Sequence, residues 1–394
     1  MQRPLSLLHS ALTRLNELIS RYWLVAGYVL LLTGLFWLPD SSVYSKVYYS
    51  AFAAPALLGL LLNPRLTGRL LREPMVLAFV ALAGWLLVSL LWSTSDSASA
   101  SLAKRPLYVF MLFAGCTLIA VRDQALLMKA LHGTAVFASL AALVSVTHFL
   151  ITQQEPRMTG LGALRNALLT SHVLGFFLAY WVARWLSGSE QHLWKPLLAA
   201  LPLLAACLAT GSRTPLMAMI VVCIGMLLFT WRRAGALLLV VMLLGLLGLL
   251  LEPQFLLQRG ASYRPQLWAE ALHKALEALW TGHGYDSRFV FDIPGRRNLL
   301  SDPHNVGLAV LLELGMIGLA VWSVMHLLGL VRCLQLRHLP KFQIACALLI
   351  YGVAAGLTEG SSFLARPNES WFIIWIPLAL IAALSISQRG QPQQ

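Results

Sequence analysis

Residues 214–251 read TPLMAMIVVCIGMLLFTWRRAGALLLVVMLLGLLGLLL, two apolar runs separated by Arg232 and Arg233. Each run approaches the roughly 20 residues that an α-helix needs to cross a hydrocarbon core of about 30 Å. No other charged residue interrupts this stretch. We therefore predict two transmembrane helices, 214–231 and 234–251, joined by a short basic loop.

The composition extends this interpretation to the whole chain. Of 394 residues, 58% are hydrophobic and 11% are charged, and the mean hydropathy is +0.73. A soluble domain carries about 25% charged residues, so this chain lacks the polar side chains to cover itself in water. The composition predicts an all-α polytopic membrane protein and excludes disordered, collagen-like and disulfide-scaffold classes.

Similar apolar runs recur along the chain and predict about 12 transmembrane helices in all. They cover residues 22–39, 45–62, 74–92, 106–121, 129–151, 167–186, 194–210, 214–231, 234–251, 303–330, 341–360 and 368–386. The predicted organisation is a cytoplasmic interfacial helix (1–21), transmembrane helices 1–9 (22–251), a periplasmic loop (252–302) with a helix at 266–280, transmembrane helices 10–12 (303–386) and a cytoplasmic tail (387–394).

The net charge of +13 is spread over short loops instead of one patch. Such cations set the orientation of spans and contact anionic headgroups, so membrane lipids, not nucleic acid, are the expected partner. The basic loops on the side of the N-terminus hold Arg65, Arg69, Arg72, Arg122, Lys129, Arg232, Arg233, Arg332, Arg337 and Lys341. The positive-inside rule then places both termini in the cytoplasm.

The longest connection, 252–302, falls on the opposite side and contains an amphipathic segment. Residues 266–280 read QLWAEALHKALEALW, with an apolar face that includes Trp268 and Leu272. The spacing predicts a helix that lies on the membrane or caps the bundle, either as part of a functional site or as a plain structural lid.

Arginines cluster on this outer side, against the positive-inside rule. The set is Arg105, Arg157, Arg165, Arg213, Arg259, Arg264, Arg288, Arg296, Arg297 and Arg366. Arg binds phosphate in a forked geometry, so the cluster predicts either an anionic, phosphate-bearing ligand or contact with lipid headgroups. Several of these arginines directly precede a helix start marked by Pro, where the helix dipole also attracts anions.

Asp302-Pro303-His304-Asn305 opens the predicted span 303–330. Asp302 is a natural N-cap and Pro303 a natural first helical residue, which would place His304 and Asn305 in the first turn. There the dipole would lower the pKa of His304, and a neutral imidazole can take a proton from a hydroxyl; a lone His is, however, more often structural. Glu313 and Glu359 are weaker candidates.

No metal or nucleotide motif accompanies these residues. The chain has no HExxH, no carboxylate cluster and no GxxxxGK[ST], and its five cysteines form no CxxC pair. We therefore predict no metal site and no cofactor.

Short motifs resemble one known family when their order is considered together. They are Gly211-Ser-Arg-Thr-Pro215, Arg264-Pro-Gln-Leu-Trp268, Gly282-His-Gly284, His304-Asn305 and Glu313-Leu-Gly315-Met-Ile-Gly318. Over roughly residues 205–325 this order resembles the Wzy_C superfamily of O-antigen ligases and polymerases. Twelve spans with a single large outer loop are most similar to the ligases.

The resemblance implies a specific reaction. A ligase moves a polysaccharide from undecaprenyl pyrophosphate to a sugar hydroxyl of lipid A–core, on the periplasmic side of a Gram-negative inner membrane, without metal or nucleotide. The family's essential His matches His304, and its essential arginines match Arg213 and Arg264. Arg288 is a looser match. Asn305, Arg157 and Arg366 are further candidates for substrate binding.

These roles suggest an inverting displacement. The arginines would hold the charge that develops on the departing pyrophosphate, and His304 would take the proton of the acceptor hydroxyl. Both lipids stay in the bilayer, so we expect a lateral apolar opening between spans, with helix 266–280 near its rim.

Three other functions remain open. An O-antigen polymerase would use a glycan acceptor and more often has two sizeable outer loops, whereas only 252–302 is long here. A protein O-oligosaccharyltransferase usually carries extra C-terminal sequence. A transporter or lipid flippase would be expected to place its longest connection at the midpoint of two halves, not after the ninth span.

Overall fold

The computed structural model describes residues 12–152, 156–188, 192–251, 263–293, 299–360 and 362–389. Its main helices are α1 (Leu12–Phe36), α2 (Ser41–Leu62), α3 (Pro64–Leu71), α4 (Pro74–Ser89), α5 (Arg105–Arg122), α6 (Gln124–Thr152), α7 (Ala167–Leu186), α8 (Trp194–Ala209), α9 (Thr214–Leu251), α10 (Arg264–Glu277), α11 (Val306–Gln335), α12 (Pro340–Gly356) and α13 (Trp375–Arg389). Within these ranges, extended pairing is limited to a single bridge between Phe291 and Leu300.

The helices have the length and composition of membrane spans. Seven segments of the described chain are long and apolar enough to cross a bilayer, namely α1, α2, α5 with the turn before it, α6, α7, α9 and α11. The pair α3 and α4, bent by 81°, makes an eighth, and α8, α12 and α13 are shorter apolar helices. These helices confirm the predicted all-α polytopic membrane protein.

The break predicted within 214–251 is present, whereas the break predicted near residue 21 is absent from the described residues. Residues 214–251, labelled together as α9, are two helices that meet at a kink at Thr230 (φ −142°, ψ 57°), next to the predicted break at Arg232 and Arg233. The Thr230 hydroxyl donates to the Met226 carbonyl one turn earlier, a bond that often bends helices. The predicted interfacial helix (1–21) and the first span are continuous from Leu12 onward, because α1 runs through a π-helical turn at Ile19–Trp23. Residues 1–11 lie outside the described residues.

The core is built around α13, whose residues from Trp375 to Ser387 are all buried. Helix α5 packs along α13, and α7 packs between α8 and α12. Trp375 Nε1 donates to the Phe363 carbonyl at 2.7 Å, and Trp371 Nε1 donates to the Ala365 carbonyl at 3.1 Å. These buried indoles tie the connection after α12 to the core.

Helix α11 is broken inside the predicted span 303–330. Gly315 has φ +66° and ψ −168°, a backbone conformation that residues other than glycine rarely adopt. The freed peptide groups bond to a segment of the outer loop, residues 279–284. His283 and Gly284 N–H donate to the carbonyls of Leu312 and Glu313 at 2.9 Å each, and Met316 N–H donates to the Leu279 carbonyl at 2.8 Å. The loop thereby satisfies backbone groups that the membrane cannot.

The predicted loop helix is present as α10, and it packs on the outer half of α11. Its buried residues are Leu267, Ala271 and Ala275, one helical turn apart, and they contact Leu311 and Leu312. Leu272 and Leu276 belong to the same predicted apolar face, but they are 46% and 58% exposed. The packed face is therefore rotated toward Leu267, and a second apolar row stays uncovered.

The break in α11 should tolerate no side chain at residue 315. A Cβ there would lie 2.3 Å from the Trp280 carbonyl oxygen, so Gly315→Ala combines a clash with a backbone strain of about 1–3 kcal/mol. We expect a lower melting temperature in detergent and faster proteolysis of the outer loop. Gly133→Ala in α6, where nothing lies within 4 Å of the new Cβ, is the matched control. Equal stability of the two variants would contradict the proposed pairing.

Candidate functional site

Three charged side chains form a chain of contacts at one end of the bundle, which we call the His304 face. His304 Nδ1 lies 2.6 Å from Glu359 Oε1, and Arg264 NH2 lies 2.5 Å from Glu359 Oε2. The Glu359 side chain is 4% exposed, whereas the side chains of His304 and Arg264 are 20% and 26% exposed. The carboxylate thus lies between a histidine and an arginine that both reach solvent.

The backbone around His304 differs from the predicted helix start. Helix α11 begins at Val306, and its N-cap is Asn305, whose side chain accepts the Leu308 N–H at 3.1 Å. Asp302 instead accepts the His304 N–H at 2.7 Å. His304 has φ +48°, a strained value for a non-glycine residue, and lies before the first turn. Asn305 is the better N-cap here because it directly precedes the helical residues.

The electrostatics of this chain reverse one expectation. The hydrogen bond that His304 Nδ1 donates to the Glu359 carboxylate raises the pKa of His304 above 6.5, although burial and Arg264 oppose the rise. The sequence predicted a lower pKa from the helix dipole; the adjacent carboxylate outweighs that dipole because it carries a full charge at contact distance. Burial alone would raise the pKa of Glu359, but His304 and Arg264 together lower it.

These opposite pKa shifts define the pH range in which the His304–Glu359 pair stabilises the fold. The raised pKa of His304 contributes stability that is complete below pH 6.5 and is lost as the pH rises through that raised pKa. The lowered pKa of Glu359 contributes stability above pH 4.5 that is lost as the pH falls through the lowered pKa. The pair therefore stabilises the fold fully between about pH 4.5 and 6.5.

One ring nitrogen of His304 is left for chemistry. With Nδ1 on Glu359, no described residue hydrogen-bonds Nε2. A carboxylate on one imidazole nitrogen fixes the tautomer and stabilises the imidazolium that forms when the other nitrogen takes a proton. The arrangement suits a general base that acts through Nε2.

Arg213 and Arg157 lie in a neighbouring corner of the His304 face. Arg213 is exposed and its carbonyl accepts the Met217 N–H in the first turn of α9. The next residue, Thr214, contacts the hydroxyl of Thr358 at 3.4 Å, directly before Glu359. Arg157 Nε donates to the Thr210 carbonyl at 2.7 Å, close to the same turn.

The remaining predicted residues have contacts away from Glu359. Arg288 pairs with Asp96 and lines a separate cavity of about 510 Å3. Arg366 NH2 donates to the Ser101 hydroxyl at 3.1 Å. The Asn305 side-chain oxygen caps α11 by accepting the Leu308 N–H. Arg259, Arg296 and Arg297 lie outside the described residues.

Sequence reasoning assigned no role to His172, which lies in α7. Its side chain is fully buried, and neither ring nitrogen has a hydrogen-bond partner among the residues described. It lies close enough to Glu359 for the two groups to interact electrostatically. The sequence shows only a histidine near a span end, because its proximity to Glu359 is created by packing.

Glu313 has a structural contact instead. Its carboxylate accepts the Asp286 N–H at 2.7 Å, and Asp286 in turn contacts Arg105 at 3.0 Å. Arg105 also donates to the Tyr285 hydroxyl at 2.9 Å. This cluster joins the outer loop to α5 and α11.

An apolar groove leads away from the His304 face. Two adjacent cavities, of about 520 and 300 Å3, lie along α9, α11 and α12, and they share the lining residues His326, Leu327, Val353 and Leu357. The larger cavity reaches Thr358, next to Glu359, and the smaller reaches Val306, two residues after His304. Leu327 is 57% exposed, so the groove opens sideways, as expected of a lateral opening.

Comparisons with known proteins agree with these features. Residues 198–323 match the Wzy_C family, which is described as O-antigen ligase. The chain is also 40% identical over 381 residues to an O-antigen ligase of Pseudomonas aeruginosa strain PAO1, covering 95% of this chain and 93% of that protein. The family match includes α9, α10, His304 and the break at Gly315.

Glu359→Gln should lower the pKa of His304 toward its ordinary value of 6.5, because the neighbouring negative charge is lost. The pH dependence of His304 modification by diethylpyrocarbonate, followed by mass spectrometry, reports this pKa because only neutral imidazole reacts. Glu270→Gln, which removes an exposed carboxylate of α10, should leave the midpoint unchanged. An unchanged midpoint in Glu359→Gln would contradict the assigned pair.

Proposed function

Because this chain belongs to the O-antigen ligase family, we propose that it is a membrane glycosyltransferase of lipopolysaccharide synthesis. Its donor is a glycan on undecaprenyl pyrophosphate, and its acceptor is a hydroxyl of lipid A–core. The observation that carries the proposal is that His304 and Arg264 both contact Glu359, beside apolar cavities that reach Thr358 and Val306. A base, a cationic group and a lipid path therefore meet at one place.

The proposed reaction is a single displacement. The acceptor oxygen forms a bond to the anomeric carbon while the bond from that carbon to the pyrophosphate oxygen breaks. His304 Nε2 takes the acceptor proton, and undecaprenyl pyrophosphate leaves with the electron pair of the broken bond. Glu359 is a positioning residue that holds Nδ1 and stabilises the imidazolium.

Arg264 and Arg213 are proposed to bind the departing pyrophosphate. Preorganised cations aimed at developing charge often supply the largest part of a rate enhancement. Arg264 pairs with the Glu359 carboxylate. Arg213 directly precedes Thr214, which contacts Thr358 next to Glu359. Arg157, which bonds the Thr210 carbonyl near the start of α9, is proposed as a further substrate contact. Arg288 and Arg366, with contacts elsewhere, are proposed only as outlying substrate contacts.

The groove between α9, α11 and α12 is proposed to hold an isoprenoid tail. Its lining is almost entirely apolar, and it runs from the His304 face toward Leu330 and Leu349. A tail lying there would keep its pyrophosphate at the level of Thr358 and Glu359. The donor could then exchange with the bilayer without leaving it.

The proposed location is the inner membrane of a Gram-negative bacterium. Both termini would be cytoplasmic and the His304 face periplasmic, which the basic loops of the opposite face support. We propose that the reaction needs no metal and inverts the anomeric configuration. In this proposal Arg264 and Arg213 neutralise the leaving group, a task that a divalent cation would otherwise perform.

The direct test reconstitutes the purified chain in liposomes with undecaprenyl-pyrophosphate-linked glycan, with and without lipid A–core. His304→Ala should reduce glycan transfer by about 10²–10⁴, the usual contribution of a general base. His273→Ala, on the exposed side of α10, should retain activity. Near-normal transfer by His304→Ala removes the proposed base. Longer lipid-linked glycan made without lipid A–core would identify a polymerase instead.

The same assay tests the chemistry of the displacement. Transfer should persist in EDTA, and the new glycosidic bond should have the anomeric configuration opposite to that of the donor. Coupling constants from NMR of the product report this configuration. A retained configuration would exclude a single displacement, and loss of transfer in EDTA with recovery on adding a divalent cation would exclude a metal-independent reaction.

A further inference from the structure

A polar cavity lies at the opposite end of the bundle, which we call the Lys341 face. Its volume is about 490 Å3, and it forms where α3, α5, α6, α12 and α13 begin or end. Helix α5 spans the distance between the two faces, from Arg105 near the outer loop to Arg122 in this cavity, or about 26 Å at 1.5 Å per residue. The cavity is therefore separate from the site at His304.

The charges that line this cavity are mainly positive. Arg69, Arg122 and Lys341 face one carboxylate, Asp123. Asp123 already accepts two N–H groups in the first turn of α6, and Arg122 shares its charge with Glu17 at 2.8 Å. Among the described residues, no carboxylate lies within 4.0 Å of Arg69 or Lys341. Two cations thus lack an anionic partner at this site.

Unsatisfied donors point to the type of ligand. Gln124 is 9% exposed and lines the cavity, and its amide Nε2 has no partner in the described part of the chain. Its oxygen accepts a bond from Lys341, which also donates to Gln388 Oε1 at 2.8 Å. An ammonium group has three donors, so one remains. A buried donor without an acceptor is costly, and a ligand with several acceptor oxygens would remove that cost.

We propose that this cavity binds the phosphate group of an anionic phospholipid headgroup, through Arg69, Lys341 and the amide of Gln124. Phosphate oxygens accept several charge-assisted hydrogen bonds at once, and basic pockets between transmembrane helices commonly bind such headgroups. Free inorganic phosphate shares this chemistry. The apolar side chains of Val121 and Met128 on the cavity wall favour a lipid, because they can contact its glycerol and first acyl carbons.

The binding is tested on the full-length chain, purified in neutral detergent and titrated with phosphatidylglycerol, phosphatidylcholine or inorganic phosphate. Native mass spectrometry measures the lipid that is retained, and thermal unfolding measures the accompanying stabilisation. Arg69→Gln and Lys341→Gln should each weaken phosphatidylglycerol binding about tenfold, as expected for one lost charge-assisted contact. Arg65→Gln is the matched control, because Arg65 lies on the exposed surface of the same helix and does not line the cavity.

The outcomes distinguish a lipid headgroup from free inorganic phosphate as the ligand of this cavity. Weakening in Arg69→Gln but not in Arg65→Gln, with no competition by inorganic phosphate, supports a lipid headgroup. Saturable binding of inorganic phosphate that depends on Arg69 supports the same site with a free anion as its occupant. Equal weakening by Arg65→Gln, or equal retention of phosphatidylcholine, overturns the proposal. If Lys341→Gln fails to fold, Arg69→Gln alone decides, since the Arg69 guanidinium bonds only the Ile386 carbonyl within the described chain.

Discussion

Backbone pairing across the break in α11 is the constraint on which the outer part of the molecule depends. A helix interrupted at membrane depth exposes peptide groups that lipid cannot hydrogen-bond, and residues 279–284 supply the missing partners. That pairing fixes the outer loop against α11 and lets α10 pack through Leu267, Ala271 and Ala275. Arg264, the first residue of α10, reaches Glu359 only because α10 lies there.

Charge balance around Glu359 then determines what the His304 face can do. A carboxylate that is 4% exposed needs compensation, and it receives it from His304 on one oxygen and Arg264 on the other. The histidine gains a fixed orientation and a higher pKa, while the arginine is held at the mouth of the groove. One buried acid therefore positions both the proposed base, His304, and the proposed pyrophosphate ligand, Arg264.

The sequence predicted what depends on local pattern. Apolar runs identified the helices, and the amphipathic period found α10 within a few residues of its bounds. Short motifs singled out His304, Arg213 and Arg264 as candidates, and the structure places His304 and Arg264 on one carboxylate. The contacts of Glu359 and His172 were not predictable, because they join segments more than fifty residues apart through packing. The helix break escaped prediction because Gly315 in an apolar run looks like any other membrane glycine.

The dependence of the outer loop on α11 also dictates an order of assembly. Residues 279–284 are synthesised before residues 312–316, which supply their backbone partners, and in the proposed orientation they also cross the membrane first. In that orientation the loop lacks its final hydrogen bonds until α11 has been inserted. Maturation of the His304 face is thus a late event in biogenesis, and a chain stopped before α11 would carry Arg264 with no Glu359 to meet it.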